Sequence, residues 1–237
     1  MATGWAAVFD VDGTLVDSER DGHRVAFNRA FAAAGLPCHW DEETYGRLLA
    51  VTGGRRRLAG YLEERGVDAV AAAELAGRLH RAKTEIFVEL VRAGEISPRP
   101  GVKALLAELK AAGARLAVAT TGSADWVEAL LATEFADVAF EVVVTRREAP
   151  ALKPEPDAYL LALGLLGGGA GTAVAIEDSG NGLRAAVRAG LPCVIVTNDY
   201  TAGQDFGGAD LVRDRFESLD AETLRRLAER RTVGVRA

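Results

Sequence analysis

Short apolar runs alternate with stretches of helical periodicity along most of this chain, and that alternation narrows its possible folds more than any other feature. The runs are AAVF (Ala6–Phe9), RLAVAT (Arg115–Thr120), FEVVV (Phe140–Val144), TAVAI (Thr172–Ile176) and CVIV (Cys193–Val196). Each has strand length, and none alternates polar with apolar, so each reads as a strand covered on both faces. Between them Val102, Leu105, Leu106 and Leu109 recur at helical spacing up to Gly113. Leu183, Ala186 and Val187 repeat the device up to Gly190, and a glycine just past the last turn is a common helix stop. Strands alternating with helices predict an α/β fold, a Rossmann-like parallel sheet with helices on both faces.

The rhythm breaks between Ser18 and Glu95. Phe27, Ala30, Phe31 and Ala34 mark one helix ending at Gly35; Leu58, Tyr61 and Leu62 mark another ending near Gly66. Ala72, Leu75, Ala76, Leu79 and Ile86 mark a long one reaching about Val91. The stretch GEISPRPG (Gly94–Gly101) then reads as a hinge, since its prolines and glycines disfavour a continuing helix. The expected organisation is a core of residues 1–16 and 97–237 with an all-helical insertion at 17–96. The glycine patch GGGAG (Gly167–Gly171) precedes a strand and lacks the spacing of a nucleotide fingerprint, so it reads as a connecting loop.

Composition removes several classes of function. A net charge of -6 argues against general nucleic-acid binding, and no apolar stretch approaches the roughly 20 residues of a membrane span. Nothing at the start reads as a secretory signal, and Cys38 and Cys193 lack metal-ligand spacing, so both are expected to be reduced thiols. A cytoplasmic monomer acting on a small molecule is expected.

In an open parallel sheet, ligands bind beyond the carboxyl ends of the strands, so the residues there carry the functional argument. The first run ends in Asp10 and Asp12, the second in Thr120, Thr121, Gly122 and Ser123, and the fourth in Glu177 and Asp178; Lys153 follows the third. Taken singly, each has a plain structural use as a turn residue, a helix cap or a solvated lysine. Together they bring several carboxylates, a hydroxyl and an ammonium to one rim. Carboxylates gathered so closely call for a hard divalent cation, and oxygen ligands of this kind suit Mg2+. One of them can attack phosphorus, another can move a proton, and Thr120, the N–H groups after it and Lys153 can hold phosphoryl oxygens.

In DVDGT (Asp10–Thr14), TTG (Thr120–Gly122), KPEPD (Lys153–Asp157) and EDSGNG (Glu177–Gly182), the chain resembles the haloacid dehalogenase-like hydrolase superfamily. The resemblance implies Asp10 as nucleophile, Asp12 as general acid and base, and Thr120 with Lys153 as holders of the phosphoryl group, beside Thr121 and Gly122. It implies Mg2+ bound by Asp10, the backbone carbonyl of Asp12 and Asp178, with Glu177 assisting. The helical insertion resembles the superfamily's small α-helical cap.

Substrate choice is expected to rest on that insertion. Glu19 and His23 lie four residues apart, and TGGRRR (Thr52–Arg57) sets a glycine pair before a helix start followed by arginines, a pattern suited to an anion. Only one or two of the three arginines can face inward. The words ERDGHRVAFN, Tyr45, LAVTGG and HRAKT resemble the CbbY-like branch of the superfamily, related to the β-phosphoglucomutases. That branch implies hydrolysis of xylulose 1,5-bisphosphate to xylulose 5-phosphate in connection with carbon fixation. Glu19, His23, Tyr45, Thr52, Gly53, Gly54, Arg55 and Lys83 would then contact the sugar bisphosphate. A sugar-phosphate mutase and a non-catalytic sugar-phosphate sensor are the alternatives. Two features depart from the family pattern: the basic TRREAPAL before Lys153, and Gly180 after Asp178.

Overall fold

The computed structural model describes residues 4–51, 53–167 and 172–230. The chain divides into two compact units, Met1–Asp17 with Ser97–Ala237, and Ser18–Ile96.

In the first unit the α/β expectation is borne out by a six-stranded sheet in the order β3-β2-β1-β4-β5-β6, every pairing parallel. The strands are β1 (Ala6–Phe9), β2 (Arg115–Ala119), β3 (Val142–Val144), β4 (Ala173–Glu177), β5 (Cys193–Val196) and β6 (Leu211–Arg213). Central β1 is buried along its whole length, with Ala6 opposite Arg115 on one side and Ala173 on the other. Helices α5 (Val102–Ala111), α6 (Ala124–Glu134), α7 (Asp157–Leu165), α8 (Gly180–Arg188) and α9 (Ala221–Arg230) complete this unit. The alanines of β2 and β4 leave room for Tyr159 of α7 in a core shared with Val8, Val144 and Ile195.

Two readings change. The third strand is shorter than FEVVV, because Phe140 and Glu141 precede it and Glu141 turns to the Arg115 guanidinium at the surface. Strand β6 adds a sixth strand to the five apolar runs. At the sheet edge it is covered incompletely, and exposed Val212 leaves it without the apolar run that marked its neighbours.

The second unit is helical: α1 (Arg24–Ala33), α2 (Glu42–Leu48), α3 (Gly54–Glu63) and α4 (Ala69–Arg92), preceded by a wide π turn over Ser18–His23. Gly22 makes that turn possible, since a Cβ there would stand 2.5 Å from the Phe87 ring. The unit packs around Trp40, whose ring lies 4.7 Å from Phe27, 4.9 Å from Phe31 and 5.0 Å from Tyr61. The Asn28 side chain fixes Trp40 by donating to its carbonyl and accepting its N–H, both at 2.8 Å. Helix α2 was not read from the sequence because Tyr45 is its one buried residue; the Asp41 carboxylate starts it by accepting the Thr44 N–H at 2.7 Å. Residues 168–171 of the glycine patch lie outside the described residues.

Candidate active site

All strands run in one direction, so the predicted strand-end groups of the first unit share one rim. After β1 the chain turns at once: the Gly13 N–H donates to the Val16 carbonyl at 2.9 Å, with Gly13 at φ +86°. Glycine is required here, since a Cβ would approach the Asp178 Oδ2 to 2.4 Å.

Lys153 is the hub of this rim. Its Nζ donates to Asp10 Oδ1 at 2.6 Å, to Glu177 Oε1 at 2.5 Å and to the Ala119 carbonyl at 2.9 Å. The ammonium thus ties the ends of β1, β2 and β4 together. Tyr159 donates its hydroxyl to the same Glu177 oxygen at 2.8 Å. Asp178 accepts from the Asn198 amide at 2.8 Å, with the Thr14 hydroxyl at 3.4 Å. Thr120 is fully buried, and its Oγ1 accepts the Gly122 N–H at 3.1 Å. The Gly122 position is tight: a Cβ would meet the Trp126 ring at 2.6 Å.

Burial dominates the electrostatics. It pushes the Asp10 carboxyl up to about 7, partly offset by Lys153 and reinforced by Glu177 and Asp12. Asp178 is raised by burial and by the charges of Glu177, Asp10 and Asp12. Burial alone would lower Lys153, but Asp10 and Glu177 more than offset it and raise it. Asp10, Glu177 and Asp178 each offer a carboxylate oxygen within 4.8 Å of the others. Three buried carboxylates crowded so closely, in an all-oxygen set, suit a hard divalent cation.

The second unit gathers several of the predicted substrate residues. Tyr45 donates its hydroxyl to Glu19, and Lys83 Nζ lies 2.8 Å from His23 Nδ1. Lys83 is buried against the Phe27 and Phe87 rings. Gly53 and Gly54 do stand at a helix start; a Cβ on Gly54 would reach the His80 ring at 3.1 Å. Thr52 lies outside the described residues. Of the three arginines, Arg57 is the one turned inward: it donates to the Leu48 carbonyl at 3.0 Å and to the Tyr45 hydroxyl at 3.2 Å. Arg55 is exposed. Charge alone could not single out Arg57; the register that buries Leu58, Tyr61 and Leu62 does so. Tyr159 and Asn198 carried no signal in the sequence, because their partners are distant along the chain.

Residues 6–190 match the family model of haloacid dehalogenase-like hydrolases. The chain belongs to that family. It is 48% identical to the protein CbbY of Cereibacter sphaeroides, over 90% of this chain and 93% of the relative. A phosphoglycolate phosphatase of Caulobacter vibrioides is 36% identical, over 90% of this chain and 88% of that one. Among solved structures, an Asp-to-Asn mutant of CbbY from Rhodobacter sphaeroides, in complex with xylulose-(1,5)bisphosphate, superposes with a TM-score of 0.74. It is 46% identical, over 92% of this chain and 96% of that one. These matches make the chain a phosphatase-type enzyme of the family.

Proposed function

We propose that the chain is a Mg2+-dependent phosphatase that converts xylulose 1,5-bisphosphate to xylulose 5-phosphate. The observation that carries this reading is its likeness, at 46% identity over 92% of its length, to a CbbY chain holding xylulose-(1,5)bisphosphate.

In this reading an oxygen of the Asp10 carboxylate attacks the phosphorus, a P–O bond to Asp10 forms and the P–O bond to the sugar breaks. Asp12 gives its proton to the departing sugar oxygen. It then takes a proton from the water that cleaves the aspartyl-phosphate, which returns Asp10 and releases phosphate. Lys153 and Thr120 hold the phosphoryl oxygens, as does the N–H group of Thr121, while the Gly122 N–H orients the Thr120 hydroxyl by donating to it. Lys153 also orients Asp10 through their 2.6 Å contact. Asp10, Asp178, Glu177 and the Asp12 carbonyl are the proposed Mg2+ ligands. Bound there, Mg2+ would offset the repulsion among the carboxylates and polarise the phosphoryl group. Glu19, His23, Tyr45, Gly53, Gly54, Arg55 and Lys83 are proposed to recognise the sugar and its second phosphate.

The test is phosphate release with Mg2+ over a panel of pentulose and hexose mono- and bisphosphates. Xylulose 1,5-bisphosphate is expected to be turned over fastest, and Asp10→Asn to abolish turnover. An isomerised monophosphate formed without free phosphate would overturn the reading in favour of a mutase.

A further inference from the structure

Asn198, just beyond β5, is held from both ends of its side chain. Its Oδ1 accepts the backbone N–H groups of Tyr200 at 3.0 Å and Thr201 at 3.1 Å. Its own N–H donates to the Thr201 hydroxyl at 3.0 Å. With the amide oxygen committed to this turn, the NH2 group must face the other way. It donates to Asp178 Oδ2 at 2.8 Å and to the Gly13 carbonyl at 3.1 Å. The same carbonyl accepts from Arg99 at 2.7 Å. Further along the loop, the Gln204 side chain accepts the Gly180 N–H at 2.8 Å, at the start of α8.

The two oxygens of Asp178 are therefore unequal. Oδ2 receives a short hydrogen bond from an immobilised amide, whereas Oδ1, among the described residues, has the longer 3.4 Å contact from Thr14. Groups that fix the orientation of a metal-binding carboxylate raise the affinity of its site. We propose that Asn198 is a positioning residue that ties down Oδ2 of Asp178, presents Oδ1 to the divalent cation, and anchors the Gly13 turn to the same point. This inference rests on the reading of Asp178 as a Mg2+ ligand.

Mg2+ titrated calorimetrically into the metal-free full-length enzyme tests it. Asn198→Ser keeps a hydroxyl to accept the loop N–H groups but is too short to reach Asp178. It is expected to weaken Mg2+ binding by roughly tenfold or more, whereas Gln204→Ala, which loosens the loop without touching Asp178, stays within about twofold of wild type. Binding by Asn198→Ser within about twofold of wild type, or an equal loss in Gln204→Ala, would overturn the proposal. Should Asn198→Ser not fold, the wild-type protein still decides: its Asn198 side-chain amide resonances are expected to shift during the Mg2+ titration, and resonances that stay put would sink the idea. Wild type that binds no Mg2+ at all would overturn the underlying reading of the site, and this inference with it.

Discussion

A Cβ atom on Gly182 would stand 1.9 Å from the carboxyl group of Glu177. The first turn of α8 thus fits against that carboxylate only because residue 182 has no side chain. Gly182→Ala is expected to displace Glu177 from Lys153 and Tyr159, lowering stability by about 1–3 kcal/mol, the usual range for overpacking. Urea denaturation measures the loss, and phosphate release is expected to fall with it.

The Lys153 ammonium pairs with two buried carboxylates at once. Lys153→Met leaves Asp10 and Glu177 facing each other without a cation, and removing one partner of a buried pair costs about 3–5 kcal/mol. Both stability and turnover are expected to drop sharply; a variant as stable as wild type in urea would contradict the hub role.

His80 is held below its ordinary value of 6.5 by burial and by the positive field of Lys83, His23, Arg55 and Arg57. The folded state therefore resists protonation that the unfolded chain accepts. Stability contributed by neutral His80 is present above pH 6.5 and declines as pH falls through that value. Side-chain NMR is expected to place the His80 midpoint below 6.5, and Lys83→Met to move it upward.

Arg57 is buried and shared between the Leu48 carbonyl and the Tyr45 hydroxyl. Arg57→Met is expected to remove both of these charge-assisted hydrogen bonds, at a cost of about 1–3 kcal/mol. Arg56→Met, on the exposed side of the same helix, is expected to change stability by less than about 0.5 kcal/mol. Equal effects would refute the inward role of Arg57.

Mg2+ binding by the native state alone should raise stability by about 2.7 kcal/mol at one hundred times its Kd. Asp178→Asn is expected to remove most of that gain, as read from denaturation with and without Mg2+.

The rim was legible because its carboxylates and Thr120 stand at strand ends, with Lys153 in the loop after the third strand, and strands buried on both faces announce themselves as apolar runs. Asp10, Lys153, Glu177 and Asp178 do meet. Strand β6 escaped notice because an edge strand need not be apolar throughout. Asn198 escaped for another reason: a lone asparagine after a strand reads as an ordinary turn residue, and its value lies in Asp178 and Gly13, which the fold alone brings to it.

The position of β1 has a consequence for how the protein is made. Of the six strands, the one that leads into Asp10 is synthesised before the others, yet its neighbours in the sheet begin at Arg115 and Ala173. At translation speeds of about 5–20 residues per second, AAVF stays without either partner for several seconds while the whole helical unit is produced. Strand β1 is thus made well before either neighbour that shelters it, which makes it a segment a nascent-chain chaperone would have reason to hold.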